Sequence, residues 1–253
     1  MAQKVLITAG AGGIGWAIAQ AFLDAGHLVH IFDIDQEAVD NVIGSHPNLS
    51  GSTGNVSSEE DVARLADALG KQWGGLDVLV NNAGIAGPTA PVEQYDTAAW
   101  NAVVNVNLNG SFLVVRHMVP LLKKAGGGSI LIMSSLAGRF GYANRIAYST
   151  TKWGLVGFTK TLSLELGPHG ITVNSLHPGA VKGERINQVF EGRSKLSGRS
   201  VQEEKAAALE NQSVKSFTDP ADIGALAVFL SGPHARTISG QQFPIDGDSR
   251  SAQ

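Results

Sequence analysis

A tyrosine and a lysine four residues apart are the side chains of this sequence best suited to acid–base chemistry. Tyr148 and Lys152 lie in Tyr-Ser-Thr-Thr-Lys, and on a helix they would project from one face about one turn apart. A free phenol, with a pKa of about 10, must have that pKa lowered by about 2.5, or about 3.4 kcal/mol, to ionise near pH 7.5. One ammonium about 4 Å away contributes about 4 kcal/mol at an effective dielectric constant near 20. Lys152 alone is therefore a perturbation of roughly the right size to make Tyr148 an acid–base group, although an isolated pair of this spacing is more often a surface lysine beside a half-buried tyrosine.

A glycine-rich turn follows the first apolar run of the chain. Residues 4–8 read as a strand, residues 9–15 (Ala-Gly-Ala-Gly-Gly-Ile-Gly) as a tight turn, and residues 13–25 as an amphipathic helix. In a βαβ nucleotide-binding unit, glycines at this turn let backbone amides approach a pyrophosphate at the positive end of the helix. The second apolar run ends in Asp33, whose carboxylate can bind an adenosine ribose and repel a 2′-phosphate, unless it is an ordinary solvated loop residue.

Three further motifs extend this pattern along the chain: Asn81-Asn82-Ala83-Gly84, the segment from Asn174 to Pro178-Gly179, and Ser135, thirteen residues before Tyr148. With them, the sequence resembles the short-chain dehydrogenase/reductase family, in its single-domain branch, over essentially its whole length. The resemblance implies an α/β fold with a doubly wound parallel sheet of the Rossmann type. It also implies a single catalytic and dinucleotide-binding domain over residues 1–253.

The resemblance also assigns catalytic roles, because the family's Asn-Ser-Tyr-Lys tetrad falls on Asn107, Ser135, Tyr148 and Lys152. Tyr148 would transfer the hydroxyl proton, and Lys152 would lower its pKa and hold the nicotinamide ribose. Ser135 would donate a hydrogen bond to the carbonyl or alkoxide oxygen, and the backbone carbonyl of Asn107 would position a water that feeds protons to Lys152. Spacing to Tyr148 selects Ser135 over Ser134, and the Val-Asn-Leu-x-Gly pattern selects Asn107 over the neighbouring asparagines.

The predicted cofactor is NAD(H). Relatives that prefer NADP usually place Arg or Lys in the glycine turn or just after the second strand, whereas this chain has Asp33-Ile34-Asp35 and no base there. Two carboxylates beside the ribose 2′ position favour the unphosphorylated cofactor. The predicted cofactor-binding residues are Gly10, Gly12, Gly13, Ile14, Gly15, Asp33, Asn55, Val56, Asn82, Ala83, Gly84, Tyr148, Lys152, Pro178, Gly179 and Val181.

Three departures from the family pattern affect this site. Ala9 replaces the first glycine of the turn, which would be unfavourable if that position needs a positive φ. Asn55 replaces the usual aspartate at the adenine pocket, where its amide oxygen could still accept a hydrogen bond. The threonine expected near the nicotinamide amide is missing from Ala180 to Gly183.

The substrate is predicted to be a small hydroxy or keto compound that is polar or anionic. Arg145, three residues before Tyr148, and Arg185, at the start of a polar segment, could bind a carboxylate, phosphate or sulfonate in bidentate fashion, with Tyr142 beside them. Alternatively, these cations are solvated or paired with Glu184 and neighbouring acids. In that case Tyr142, Trp153 and Phe190 would form an apolar wall.

Composition limits the other classes of function. A net charge of −3 gives no reason to expect nucleic acid, and no apolar run is long enough to span a membrane. The absence of cysteine excludes disulfides and thiolate metal sites, and the seven histidines show no metal-ligand spacing. A first strand at residue 4 leaves no room for a signal peptide. These features predict a cytoplasmic protein without a metal.

Strand-like and helical runs alternate along the chain, as a doubly wound sheet requires. Strands are predicted at 4–8, 28–32, 49–53 (an edge strand), 76–80, 129–133, 171–176 and 241–245. Helices are predicted near 13–25, 36–43, 58–73, 97–123, 147–166 and 219–230. The stretch 182–215 is the least regular and is predicted to be a lid over the substrate.

Together these observations predict an NAD(H)-dependent oxidoreductase that interconverts a secondary alcohol and a ketone, with Tyr148 as general acid/base. A 3-oxoacyl-type reductase is the alternative within the enzyme class. A cofactor-binding regulator without catalytic activity is a further alternative, but such a protein has no need of a Tyr-Lys pair. By resemblance, the segments 97–123 and 147–166 are expected to pair between subunits in a homotetramer.

Overall fold

The computed structural model describes residues 2–252, and of Arg185 only the backbone. A seven-stranded parallel sheet forms its centre, with the strand order β3-β2-β1-β4-β5-β6-β7. The strands are β1 (Lys4–Thr8), β2 (Leu28–Asp33), β3 (Leu49–Thr53), β4 (Val78–Asn81), β5 (Gly128–Met133), β6 (Ile171–Pro178) and β7 (Gln242–Ile245). β2 and β3 are added on one side of β1, and β4 to β7 are added on the other side. The predicted doubly wound fold is therefore confirmed, and its switch point lies between β1 and β4.

Helices cover both faces of the sheet. They are α1 (Gly13–Asp24), α2 (Gln36–Val42), α3 (Glu59–Trp73), α4 (Thr97–Val104), α5 (Ser111–Lys124), α6 (Ile146–Leu166), α7 (Glu184–Ser197), α8 (Val201–Glu210) and α9 (Pro220–Ser231). Because successive strand residues point to opposite faces, Val5 and Ile7 pack with α1 and α9, whereas Leu6 packs with α3, α5 and α6. Burial on both faces explains why these strands read as continuous apolar runs rather than alternating ones.

The helix predicted at 97–123 contains an irregular segment. α4 continues into α5 through a π-helical stretch, Asn105–Gly110, where the backbone makes one wider turn. Such insertions are frequent at functional sites because they displace a side chain or a carbonyl from the regular helical ladder. Here the insertion contains Asn107, a member of the predicted tetrad.

The stretch 182–215 differs from the prediction of irregular structure, because it forms α7 and α8. The signals were present in the sequence but weak. Ile186, Val189 and Phe190 have helical spacing in an otherwise polar α7, and Ser200 and Glu203 form a capping box that starts α8. The other predicted elements agree with the structure to within two residues at each end. The role of α7 and α8 as a lid stays a prediction.

Candidate active site

The carboxyl ends of the central parallel strands surround a cavity of about 440 Å³. The glycine turn after β1, the segment after β4, Ser135 after β5 and Pro178-Gly179 at the end of β6 meet there. Ligands of open α/β sheets bind at this position, outside the switch point. Many of the predicted site residues line the cavity: Gly12, Gly13, Ile14, Gly15, Asn82, Gly84, Ser135, Tyr142, Arg145, Tyr148, Lys152, Pro178, Gly179 and Val181.

The glycine turn forms a cradle of exposed backbone. At Gly15 a Cβ atom would lie 1.9 Å from the carbonyl oxygen of Ala9, so no larger residue fits where α1 begins. Cβ atoms at Gly12 and Gly13 would meet nothing within 4 Å, so their backbone faces open space. Asn82 Nδ2 braces the turn by donating to the carbonyl oxygen of Ala9 at 3.2 Å. Exposed amides at a helix N-terminus suit a pyrophosphate, and the cradle fits the nicotinamide dinucleotide that the sequence implies.

Asp33 ends β2 beside this turn rather than in the wall of the cavity. Its Oδ2 accepts from the amide of Ala11 at 3.0 Å, and its Oδ1 accepts from the amide of Asp35 at 3.2 Å. The carboxylate thus connects the end of β2 to the glycine turn. This is the position from which it could also accept hydrogen bonds from a ribose.

Four predicted cofactor residues are not among those that line the cavity. Gly10 packs against Ile31 and Val56 packs against Gly110. Asn55 Oδ1 accepts from the amide of Ser57 at 2.9 Å. Ala83 donates its amide to the hydroxyl of Thr8 at 3.0 Å. The prediction gave Thr8 no role, yet its hydroxyl also accepts from the amide of Asn82 at 2.9 Å and so joins the ends of β1 and β4.

Ala9 has a φ of 49°, in the left-handed region that a Cβ atom disfavours by about 1–2 kcal/mol. The position does have the positive φ that makes an alanine less favourable there than the glycine of the family pattern. Replacing Ala9 with glycine is expected to raise the free energy of unfolding by up to about 1 kcal/mol, because relief of strain exceeds the added flexibility of the unfolded chain. Urea unfolding measures the change, and Ala11→Gly serves as a control. A loss of stability in Ala9→Gly would contradict the expectation.

Tyr148 and Lys152 lie one turn apart on α6, as predicted. Lys152 is buried, and its Nζ donates to the carbonyl oxygen of Met133 at 2.7 Å. The same Nζ lies 5.6 Å from the centre of the Tyr148 ring. At the start of α6, the guanidinium carbon of Arg145 lies 5.3 Å from that ring centre. Two cationic side chains therefore lie beside the Tyr148 ring.

Asn107 is fully buried and joins three segments of the chain. Its Nδ2 donates to Thr151 Oγ1 on α6 at 3.0 Å, and its Oδ1 accepts from the amide of Ile85 at 2.8 Å. Its carbonyl oxygen, within the π-helical stretch, accepts from Ser111 Oγ at 2.8 Å. The predicted role of this carbonyl in positioning a water stays a prediction.

Ser135 is held by a histidine that the sequence analysis gave no role. His177 Nδ1 lies 3.0 Å from the carbonyl oxygen of Ser135, and His177 Nε2 lies 2.9 Å from Ser175 Oγ. Since a carbonyl only accepts, Nδ1 carries the proton and Nε2 accepts from Ser175. Burial lowers the pKa of His177 to about 4, which keeps the ring neutral at physiological pH, as this arrangement requires. In the sequence, the signal that could have identified His177 as a site residue is its position directly before Pro178-Gly179.

The predicted substrate residues occupy different surroundings. Arg145 is buried, and its guanidinium donates to Thr89 Oγ1 at 3.2 Å and to the carbonyl oxygen of Ala86 at 3.3 Å. Tyr142 lines the cavity, and its hydroxyl accepts from Arg193. The side chain of Arg185 lies outside the described residues.

Two other cations near the site pair with aspartates rather than with Glu184. Arg139 forms an ion pair with Asp246 at 2.8 Å, and Lys182 with Asp219 at 3.2 Å. The apolar wall that the sequence analysis gave as an alternative is formed by two of its three predicted residues. Phe190 lines the cavity with Tyr142, whereas Trp153 is half exposed on the outer face of α6.

The far wall of the cavity lies mostly in the segment predicted as a lid, 182–215, but most of its individual residues were not predicted. It comes from α7, the end of α8 and the C-terminal segment, through Ile186, Val189, Arg193, Ala208, Asn211, Gln212, Ser249, Ser251 and Ala252. These residues form no motif, and the segments that carry them meet only in the folded chain. Within residues 2–252, no helix is long and apolar enough to cross a bilayer, and no group of three or more acidic or histidine side chains is placed to hold a metal ion.

Comparison with known proteins identifies the family. A family model described as "Enoyl-(Acyl carrier protein) reductase" matches residues 9–247. The chain belongs to the short-chain dehydrogenase/reductase family. Among its relatives in this family is a D-beta-hydroxybutyrate dehydrogenase of Cupriavidus necator, 34% identical over 97% of this chain and 96% of that protein.

Two solved structures of the short-chain dehydrogenase/reductase fold superpose closely. One is NAD+-bound xylitol dehydrogenase, with a TM-score of 0.93 and 26% identity over 97% of this chain and 98% of that one. The other is an actinorhodin polyketide ketoreductase variant with NADPH, with a TM-score of 0.93 and 29% identity over 97% and 96% of the two chains. The family and these neighbours support an oxidoreductase that uses a nicotinamide cofactor.

Proposed function

We propose that this protein is an NAD(H)-dependent oxidoreductase that interconverts a secondary alcohol and a ketone. The observation that carries the proposal is the convergence of Ser135, Tyr148 and Lys152 on the cavity that also receives the glycine turn. Each tetrad position predicted from the sequence fits this reaction. A regulator without catalytic activity would have no use for a buried lysine beside a tyrosine at a nucleotide site.

Each residue has a distinct task in the proposed reaction. The nicotinamide cofactor, when bound, supplies or accepts the hydride. Tyr148 takes the hydroxyl proton during oxidation and returns it during reduction. Ser135 Oγ donates a hydrogen bond to the substrate oxygen and so stabilises charge that develops there. Lys152, with its Nζ anchored on Met133, favours the phenolate and is placed to bind the ribose hydroxyls.

The preference for NAD(H) is part of the proposal and is supported by Asp33. Its carboxylate is fixed at the end of β2 by two backbone amides, and Asp35 follows it as the N-cap of α2. A 2′-phosphate at this position would lie beside the carboxylates of Asp33 and Asp35. The glycine turn contains no lysine or arginine that could offset these negative charges. Repulsion of like charges at short range would therefore select the unphosphorylated ribose.

The proposed function is tested by mixing the purified protein with NAD and a panel of polyols, hydroxy acids and cyclic alcohols, and following NADH by absorbance. Turnover of a secondary alcohol to a ketone is expected. A parallel assay with 3-oxoacyl thioesters and NADPH tests the alternative 3-oxoacyl-type reductase, which relatives of this family also represent. Activity confined to the thioesters would overturn the proposal in favour of that alternative.

The substrate is proposed to be small and polar or anionic. The relatives named for hydroxybutyrate and xylitol include both kinds of compound. Arg145 supports the anionic form, since its guanidinium lies beside the ring of Tyr148, while two of its nitrogens already bond residues of the chain. Recognition by Arg145 or Arg185, the absence of nucleic-acid and membrane partners, and a cytoplasmic location all stay predictions.

A homotetramer is also proposed, and exposed apolar side chains on α5 and α6 support it. Among the apolar residues of the segments 97–123 and 147–166, Val103 and Leu155 are buried. Four more are partly buried and pack against the core: Val106, Leu113, Phe158 and Leu162. By contrast, Phe112, Trp153 and Leu164 remain half or more exposed. Light scattering is expected to give about four times the chain mass of 26.4 kDa, and Phe112→Lys is expected to lower it. A monomer at micromolar concentration would contradict this.

A further inference from the structure

Gln212 is a buried polar side chain of the cavity with no hydrogen-bond partner for its amide. It is 2% exposed and lines the same cavity as Ser135 and Tyr148. Among residues 2–252, neither its Nε2 nor its Oε1 has a partner. Buried amides normally have both groups satisfied, and an unsatisfied amide carries a desolvation cost that a bound group can remove. The amide is therefore well suited to bind part of a ligand.

The C-terminal segment, residues 247–252, fixes the position of Gln212. Backbone hydrogen bonds join this segment to the end of α8 on both sides of Gln212. Asn211 Nδ2 donates to the carbonyl oxygen of Ser251 at 2.6 Å, and Ser251 Oγ donates to Asn211 Oδ1 at 3.1 Å. Gly247 packs against the amide itself, since a Cβ there would lie 2.9 Å from Gln212 Oε1. A group held in this way loses little conformational freedom when a ligand binds.

The chemistry of the amide identifies the group that it would bind. A hydroxyl can donate to Oε1 and accept from Nε2, and so satisfies both atoms. A carboxylate can only accept, so it would leave Oε1 unsatisfied and be repelled by it. The described cations of the cavity wall have partners in the chain, since Lys182 pairs with Asp219 and Arg193 donates to Tyr142. These features favour a neutral hydroxyl at this end of the cavity.

We propose that Gln212 binds a remote hydroxyl of the substrate, and hence that the substrates are polyols and their keto forms. This inference rests on the proposed function and narrows its substrate class. The reacting carbinol lies at Tyr148 and Ser135, and a second hydroxyl of the same molecule lies at Gln212. The C-terminal segment, which pairs with the end of α8 at Gln212, completes the wall of this subsite.

The test compares xylitol with 2-pentanol, which has the same number of carbons but one hydroxyl. Gln212→Met keeps the length of the side chain and removes both hydrogen-bonding groups. We expect this variant to lower kcat/KM for xylitol about 10- to 100-fold, mainly through KM. For 2-pentanol the value should stay within about threefold of wild type. Gln202→Met, the same substitution at an exposed position of α8, is the control and should leave both values unchanged.

An equal loss for the two alcohols, no loss for xylitol, or turnover of 2-pentanol but not of xylitol by the wild type would each overturn the inference. Calorimetric titration of xylitol into NADH-saturated protein separates this inference from the proposed function. If no alcohol is oxidised, the proposed function fails. Tighter binding of xylitol by the wild type than by Gln212→Met would still support the subsite, and equal or absent binding would overturn it.

Discussion

Replacing Tyr148 with phenylalanine is expected to lower kcat about 10²- to 10⁴-fold. The substitution keeps the ring that packs beside Lys152 and Arg145 and removes only the oxygen that would carry the proton. The dissociation constant for NADH, measured by fluorescence titration, should change by less than about threefold, because the ring and Lys152 remain in place. A large effect on kcat with little effect on cofactor binding is typical of a group that acts in the chemical step.

Tyr95 provides a matched control for this experiment. Its hydroxyl is buried beside Gly87, and Tyr95 is not among the residues that line the cavity. Tyr95→Phe therefore makes the same chemical change outside the site, and its kcat should equal that of the wild type. If Tyr148→Phe kept a tenth or more of the wild-type kcat with the best substrate, Tyr148 would not be the acid–base group.

Replacing Asp33 with alanine is expected to weaken NAD binding about 10- to 100-fold and to improve kcat/KM with NADP. The loss has two sources. The carboxylate would no longer accept from the ribose hydroxyls, and the amide of Ala11 would lose the acceptor at 3.0 Å that holds the glycine turn. The gain with NADP comes from removal of a negative charge next to the 2′-phosphate. Steady-state kinetics with both cofactors measure the change in preference.

Asp33→Asn separates the charge of the carboxylate from its hydrogen bond to the glycine turn. The asparagine oxygen can still accept from Ala11 but carries no charge, so this variant should relax the exclusion of NADP with a smaller loss of NAD binding. Asp40→Ala removes an exposed charge of α2 and should leave the preference unchanged. A wild-type enzyme that used NADP as well as NAD would contradict the assignment of Asp33.

The sheet and most helices could be predicted because their signals are local. Residues 4–8 and 28–32 are apolar runs of strand length, and Ser58 and Asp219, residue types that favour helix starts, cap α3 and α9. α7 and α8 were missed because their sequences are polar. Packing of a few apolar residues such as Phe190, rather than a strong amphipathic pattern, stabilises α7.

The sequence by itself determined the family, the Tyr-Lys pair, the glycine turn and Asp33, because each depends on residue types at short spacing. Only the tertiary structure decided what surrounds them. His177 reaches Ser135 across neighbouring strands, Asn107 joins a π-helical stretch to α6, and Gln212 comes to the cavity where the end of α8 meets the C-terminal segment. These contacts join residues from 37 to 44 positions apart, and only the packing of the sheet and helices brings them together, so no local pattern could specify them.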